Sequence, residues 1–282
     1  MFGITRQAYY NNKKRGIAKQ LQSELIIKRV KAIRSVHPRM GCRKIHELLK
    51  EELIQMGIKI GRDKLFDLLS DNQLLIRRRK RKSITTNSYH RYKKYKNLIK
   101  DFNPYQAGQL WVSDITYIRN KETFNYLFLI TDAYSRKIVG YKIADSLETK
   151  HAIDSLKMAL NQSKNIEGLI HHSDRGIQYC SHKYVKLLQD YQIRISMTED
   201  STPTDNSIAE RVNGILKQEY IDPLTNTTSA QLDQIVNEAI HRYNYYRPHL
   251  SCDMKTPNEE HKMKGNMKRR WKNYYKLQTT IN

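Results

Sequence analysis

Cysteine is scarce. The 282-residue chain has three, Cys42, Cys180 and Cys252, and no two form a C-x-x-C pair. That excludes a disulfide framework and a zinc knuckle, and it fits a reducing cytoplasm. No apolar run approaches the roughly 20 residues needed to cross a bilayer. The first residues lack the apolar core of a signal peptide. The expectation is therefore a soluble intracellular protein. There are no internal repeats. Acidic residues are scarce in one region only. Residues 1–100 hold 27 Lys and Arg against 7 Asp and Glu, a net +20, whereas residues 101–282 hold 24 against 21. A charge carried for solubility alone would be spread evenly, so this asymmetry points to a phosphate-binding N-terminal part.

What is present divides into two patterns. At a length near two typical domains of roughly 150 residues, the chain first reads as helices. Leu21, Leu25, Ile26, Val30 and Ile33 recur at helical spacing over 18–36, and Pro38 and Gly41 end the run. A second helix is expected over 43–56, with Ile45, Leu48, Leu49 and Leu53 inward. A third is expected over 62–71, with Leu65, Leu68 and Leu69 inward. Two short helices joined by the turn 57–61, with Arg62 and Lys64 at the start of the second, match a helix-turn-helix. A helical protein-interaction module shares the same pattern. Arg77, Arg78, Arg79, Lys80, Arg81 and Lys82 then form an unbroken basic run. The following segment interleaves Lys93 and Lys94 with tyrosines. Such a stretch suits a strand of nucleic acid, cations to phosphate and rings to bases; it equally suits a solvated linker.

From residue 109 the pattern changes to strands: 110–118, 125–131 and 137–144 as an antiparallel meander, then 166–171 and 194–197. Helices are expected over 150–160, 183–191, 207–220 and 229–245. The fold class is α/β, a mixed sheet with helices on its faces, preceded by a small all-α domain. The expected division is 1–82 helical DNA-binding domain, 83–104 basic and aromatic linker, 105–261 α/β core and 262–282 basic tail.

Three carboxylates stand in unusual surroundings. Asp114 lies within Trp-Val-Ser-Asp-Ile-Thr-Tyr, where a buried charge needs a partner. Asp174 follows the apolar run 168–173, which places it at the carboxyl end of a strand, where sites in such sheets form. Glu210 falls in the first turn of a helix that Asn206 or Ser207 can cap. Asn213, Gly214 and Lys217 share its face, so Lys217 is a candidate phosphate contact. Carboxylates from two strands and a helix suit a pair of divalent ions that clamp the attacking and leaving oxygens of a phosphodiester. With 28 acidic residues, spacing alone would be weak support. Asp132, Asp145 and Asp154 read as turn or helix-surface residues. His171 and His172 read as strand histidines rather than ligands, and His249 as structural.

The runs Trp-Val-Ser-Asp-Ile-Thr-Tyr, His-Ser-Asp-Arg-Gly-Ile-Gln-Tyr, Asp-Asn-Ser-Ile-Ala-Glu-Arg-Val-Asn-Gly-Ile-Leu-Lys and Tyr-Asn-Tyr-Tyr-Arg-Pro-His resemble the integrase-like transposases of bacterial insertion sequences, in the group named after insertion sequence three. These are kin to retroviral integrases. The 35 residues between Asp174 and Glu210 also match that group. The stretch containing Arg43 and Lys44 resembles the helix-turn-helix that precedes its catalytic core. The resemblance implies a ribonuclease-H-like core with Asp114, Asp174 and Glu210 as ligands of two Mg²⁺ ions, which Mn²⁺ can replace. It implies double-stranded DNA as partner, both the element's ends and a target, with homo-oligomers on DNA in a bacterial, nucleoid-associated setting. Family members are often made as fusions whose upstream frame supplies another helix-turn-helix and a leucine zipper, and this chain resembles the downstream frame. A tyrosine recombinase, a DNA-binding regulator with an inactive core and a ribonuclease-H-type nuclease are the competing readings.

Overall fold

The computed structural model describes residues 3, 5–76, 90–120, 123–163, 166–199, 206–222 and 229–266. The chain divides into two compact units, Met1–Lys80 and Arg81–Asn282. The expected run Arg77–Lys82 and the tail beyond residue 266 lie outside the described residues.

The first unit is three helices: α1 (Arg6–Val36), α2 (Cys42–Gln55) and α3 (Arg62–Asp71). Ile26, Val30, Met40, Ile45, Leu49, Leu53, Leu65 and Leu69 form its core. The turn between α2 and α3 works because Gly57 takes φ +69°, a conformation costly for other residues. The Ile58 N–H then reaches back to the Leu53 carbonyl at 2.8 Å. Two residues expected inward are not: Leu21 is 61% and Leu48 42% exposed. The helical period at Leu21 is real, but α1 has no partner at that level. Leu48 lies on the edge of the α2 stripe, past its contact with α3.

The second unit is built on a five-stranded sheet ordered β3-β2-β1-β4-β5. Its elements are β1 (Leu110–Asn120), β2 (Thr123–Asp132), β3 (Ile138–Ala144), α4 (Thr149–Gln162), β4 (Ile170–Ser173), α5 (Ile177–Cys180), α6 (His182–Asp190), β5 (Arg194–Met197), α7 (Ser207–Ile215), a π-helical turn Leu216–Ile221, α8 (Ser229–Tyr245) and α9 (Pro257–Glu260). The first three strands pair antiparallel, and β1, β4 and β5 pair parallel. β2 shows why the sheet is covered on both faces. Phe128 and Ile130 enter a core with α4 and α6. Leu127 and Leu129 enter another with α7, the π-turn and α8, as the two-residue strand period requires. α4 lies directly on β3 at Gly140. A Cβ there would overlap the Ser155 carbonyl oxygen and come within 2.9 Å of the Ala159 Cβ.

Some elements differ from the sequence-based expectation. The fourth strand starts at Ile170 rather than 166, because Gly168 turns the chain at φ +70° just before it. The helix expected over 207–220 changes from α to π at Leu216. Asp132 stands at a turn, as expected, but it is fully buried. It accepts from the N–H groups of Gly108 (2.8 Å) and Ser135 (2.8 Å) and from the Ser135 hydroxyl. Residues 96–98 run beside β5: the Met197 N–H reaches the Lys96 carbonyl, and the Leu98 N–H the Ser196 hydroxyl at 2.9 Å. Among the described residues no helix is long and apolar enough to cross a membrane.

Candidate active site

β4 pairs with β1 over only three residues, Leu110↔Ile170, Trp111↔His171 and Val112↔His172. Two residues beyond the last pair on each strand come Asp114 and Asp174, and the charge of Asp174 acts on Asp114. β4 ends at Ser173, so Asp174 stands where the ladder stops and a crevice opens. Asp114, by contrast, is mid-strand in β1. It is accessible because its neighbour has ended there. The even residues Leu110 and Val112 pack with Ala209 of α7. Asp114 shares their face, so it points toward α7.

α7 is fastened to β1 at two points. The Asn206 side-chain amide donates to the Ser113 carbonyl at 2.9 Å. Asn206 is therefore the N-cap by position only, and makes no side-chain cap bond. One turn beyond Glu210, the Asn213 amide donates to Asp114 Oδ2 at 2.7 Å. Asp114 Oδ1 accepts from the Ile115 N–H at 2.9 Å. Asp174 Oδ1 accepts from the Gly176 N–H at 3.0 Å, closing a tight turn. A Cβ at Gly176 would sit 2.9 Å from that same oxygen, so glycine keeps the Asp174 carboxylate in place.

The electrostatics show Asp174 and Glu210 both acting on Asp114. Burial first, then the charge of Asp174, push the Asp114 carboxyl up to about 7; Glu210 adds a smaller push, and the bonds from Asn213 and Ile115 oppose them. Glu210 is exposed, and Asp174 is half-buried. Among the described residues no three His, Cys, Asp or Glu side chains stand close enough to hold one ion jointly. The two aspartates are the near pair, and Glu210 acts from further off. The donor set is nonetheless suited to a hard divalent ion: carboxylate oxygens, with Asp114 crowded by like charge.

The neighbouring histidines are occupied. His171 Nε2 is shared between the Ser113 hydroxyl (2.7 Å) and the Tyr184 hydroxyl (2.9 Å), and burial holds its pKa down at about 3. His172 Nδ1 meets the Ser196 hydroxyl at 2.8 Å. His249 is buried against the Tyr243 ring. Burial raises both the Cys180 and Cys252 thiols to about 11, so they stay protonated.

The basic segment after residue 89 flanks the carboxylates. The His90 ring bonds the Arg175 carbonyl at 2.7 Å, and Tyr92 packs edge-on against His182. Lys93 and Lys94 are exposed, with the Lys93 ammonium 5.3 Å from the Tyr95 ring centre. Lys94 is close enough to act on the Cys180 thiol beside Asp174. Lys217 sits in the π-turn, where burial lowers its pKa and the opposing charge is that of Asp222. The i, i+7 spacing from Glu210 thus does not run through one regular helix. In the first unit Arg43, Arg62 and Lys64 are exposed and Lys44 is half-buried; Arg62 is tied to Asp63 at 2.7 Å. The sequence places Asn213 on the Glu210 face without a role, and Ser207 or Asn206 as the helix cap; Asn206 stands at the cap position but bonds the Ser113 carbonyl. The i+3 spacing from Glu210 was the available signal.

Two family models described as integrase core domain match this chain, over residues 104–203 and 191–257. The insertion element IS600 uncharacterized 31 kDa protein of Shigella sonnei is 31% identical over 88% of this chain and 92% of its own length. The chain belongs to the integrase-core transposases of bacterial insertion sequences. Transposase InsF for insertion sequence IS3A of Escherichia coli is 36% identical over 44% of this chain and 43% of its own, in keeping with the insertion-sequence-three group. Among solved structures, the simian T-cell lymphotropic virus intasome in complex with a PP2A regulatory subunit matches at TM-score 0.50 and 19% identity, over 79% of this chain and 75% of that one. The mixed sheet and its flanking helices are thus the ribonuclease-H-like fold of retroviral integrases.

Proposed function

We propose that this transposase cleaves DNA at the ends of its insertion sequence and joins them to target DNA, using Asp114, Asp174 and Glu210 as ligands for two Mg²⁺ ions, with Mn²⁺ able to substitute. The observation that carries the reading is the mutual crowding of these carboxylates on Asp114, at the point where β4 stops beside β1. When bound, such ions activate a water or a DNA 3′-hydroxyl and stabilise the leaving 3′-oxygen. The residues of the chain do the rest. Asn213 orients the Asp114 carboxylate, and the Gly176 N–H orients that of Asp174. Lys93, Lys94 and Lys217 offer charge to phosphates near the crevice, and Arg43, Lys44, Arg62, Lys64 and the run Arg77–Lys82 to the duplex further away.

No protein nucleophile is required. Burial first, then Tyr184, Asp174 and Asp114, raise the pKa of Tyr179 well above the ordinary value, so this tyrosine beside the aspartates is not poised as a nucleophile. Double-stranded DNA, homo-oligomers on that DNA and an upstream-frame partner complete the proposal. The test is a Mg²⁺-dependent strand-transfer assay with Asp114→Asn, Asp174→Asn and Glu210→Gln. Each variant should lose cleavage and joining while keeping most DNA affinity. Near-normal transfer by any one would remove that residue from the site. Digestion of an RNA–DNA hybrid in place of transfer would favour a nuclease.

A further inference from the structure

The N-terminal half of α1 belongs to no core. The first buried residue of this 31-residue helix is Ile26, and every residue from Tyr9 to Gln22 is exposed. At 1.5 Å per residue, the part before Ile26 extends about 30 Å. It contains Arg6, Lys13, Lys14, Arg15 and Lys19, and its first acidic residue is Glu24. Gly16 in its middle costs about 1 kcal/mol of helix propensity. The like-charged i, i+4 pair Arg15 and Lys19 adds about 0.2–0.5 kcal/mol to that cost, and a free helix of this length is marginal in water. An anionic partner reverses the sign of the charge effect.

We infer that the α1 segment 6–24 is a second DNA-docking element, a basic helix that lies in a duplex groove apart from the helix-turn-helix. The inference rests on the proposed function in taking DNA as the partner. Charge chooses that partner. A second copy would bring five cations against five. Tyr10, Ile17 and Leu21 do share a stripe, but Lys14 falls within it, only about 40° from Tyr10, which interrupts a helix–helix seam and a membrane-facing side alike. Cations on several sides of the helix suit the major groove, which admits an α-helix between two walls of phosphate.

The test uses the full chain and a labelled random 30-base-pair duplex, with affinity read by anisotropy across a salt series. The variant replaces Lys13, Lys14, Arg15 and Lys19 together by Gln, all exposed positions, with melting measured to verify the fold. Four lost phosphate contacts should flatten the log K against log salt slope by about 3–4, and weaken binding on the order of 10²–10³-fold near physiological salt. Hydrogen exchange at amides 9–22 should slow when the duplex is added. An unchanged slope, with wild type still binding, overturns this inference alone; wild type failing to bind any duplex overturns the proposed function as well. Dimerisation without DNA that the variant abolishes, or stronger binding to vesicles of phosphatidylserine and phosphatidylcholine than to duplex, also overturns it.

Discussion

Asp114→Asn should make the metal-free protein less sensitive to pH. In the folded chain the Asp114 carboxyl is raised from 3.8 to about 7. Between those values the folded state holds a proton that the unfolded state has released, so stability is fully present below the lower value and is lost as pH rises toward the upper one. At 1.36 kcal/mol per unit the whole shift amounts to about 4 kcal/mol. Asp114 keeps some solvent access, and about 2 kcal/mol is the smaller figure once screening is allowed for. For a unit of this size that is on the order of 4–8 °C in Tm. The assay is thermal melting in EDTA at pH 5 and pH 8, wild type against Asp114→Asn. Asparagine forfeits one of the two bonds from Asn213 and Ile115 at every pH, so the difference between the two pH values isolates the charge. Wild type should lose about 4–8 °C more than the variant on going to pH 8. Adding about ten Kd of Mg²⁺ at pH 8 should restore about 1.4 kcal/mol to wild type and little to the variant. Superimposed pH curves would refute the crowding argument, and equal Mg²⁺ stabilisation of both would refute the ion site.

Asn213→Ala should slow single-turnover cleavage on saturating DNA by about 10²-fold through misplacement of Asp114, with DNA affinity unchanged; a normal rate would reduce Asn213 to a packing residue. Gly140→Val should destabilise the second unit by about 3 kcal/mol or more, because α4 contacts the backbone there; a melting curve like wild type would show that α4 can shift. Arg247→Met should cost about 3–5 kcal/mol, since it removes two bonds of 2.7 and 2.8 Å from the largely buried Glu219 carboxylate. Urea unfolding measures it, and a loss below 1 kcal/mol would mean that water reaches Glu219.

The sequence by itself determined much of the local structure. The periods of two and 3.6 residues, with glycine and proline as stops, located α3 over Arg62–Asp71, β5 over Arg194–Met197 and α8 over Ser229–Tyr245 at the observed ends. It also singled out Asp114 as a candidate by its surroundings, since a charge amid apolar strand residues is costly without a partner. Only the tertiary structure decided what each of these meets. Asp114 and Asp174 become neighbours because β4 pairs with β1 and then ends, a strand order that no local period encodes. Asn206 abandons its cap for the Ser113 carbonyl because β1 passes within reach. Asp132 is buried because two turns converge on it. Leu21 keeps a helical period yet stays in water, because periodicity marks an apolar side and not what covers it.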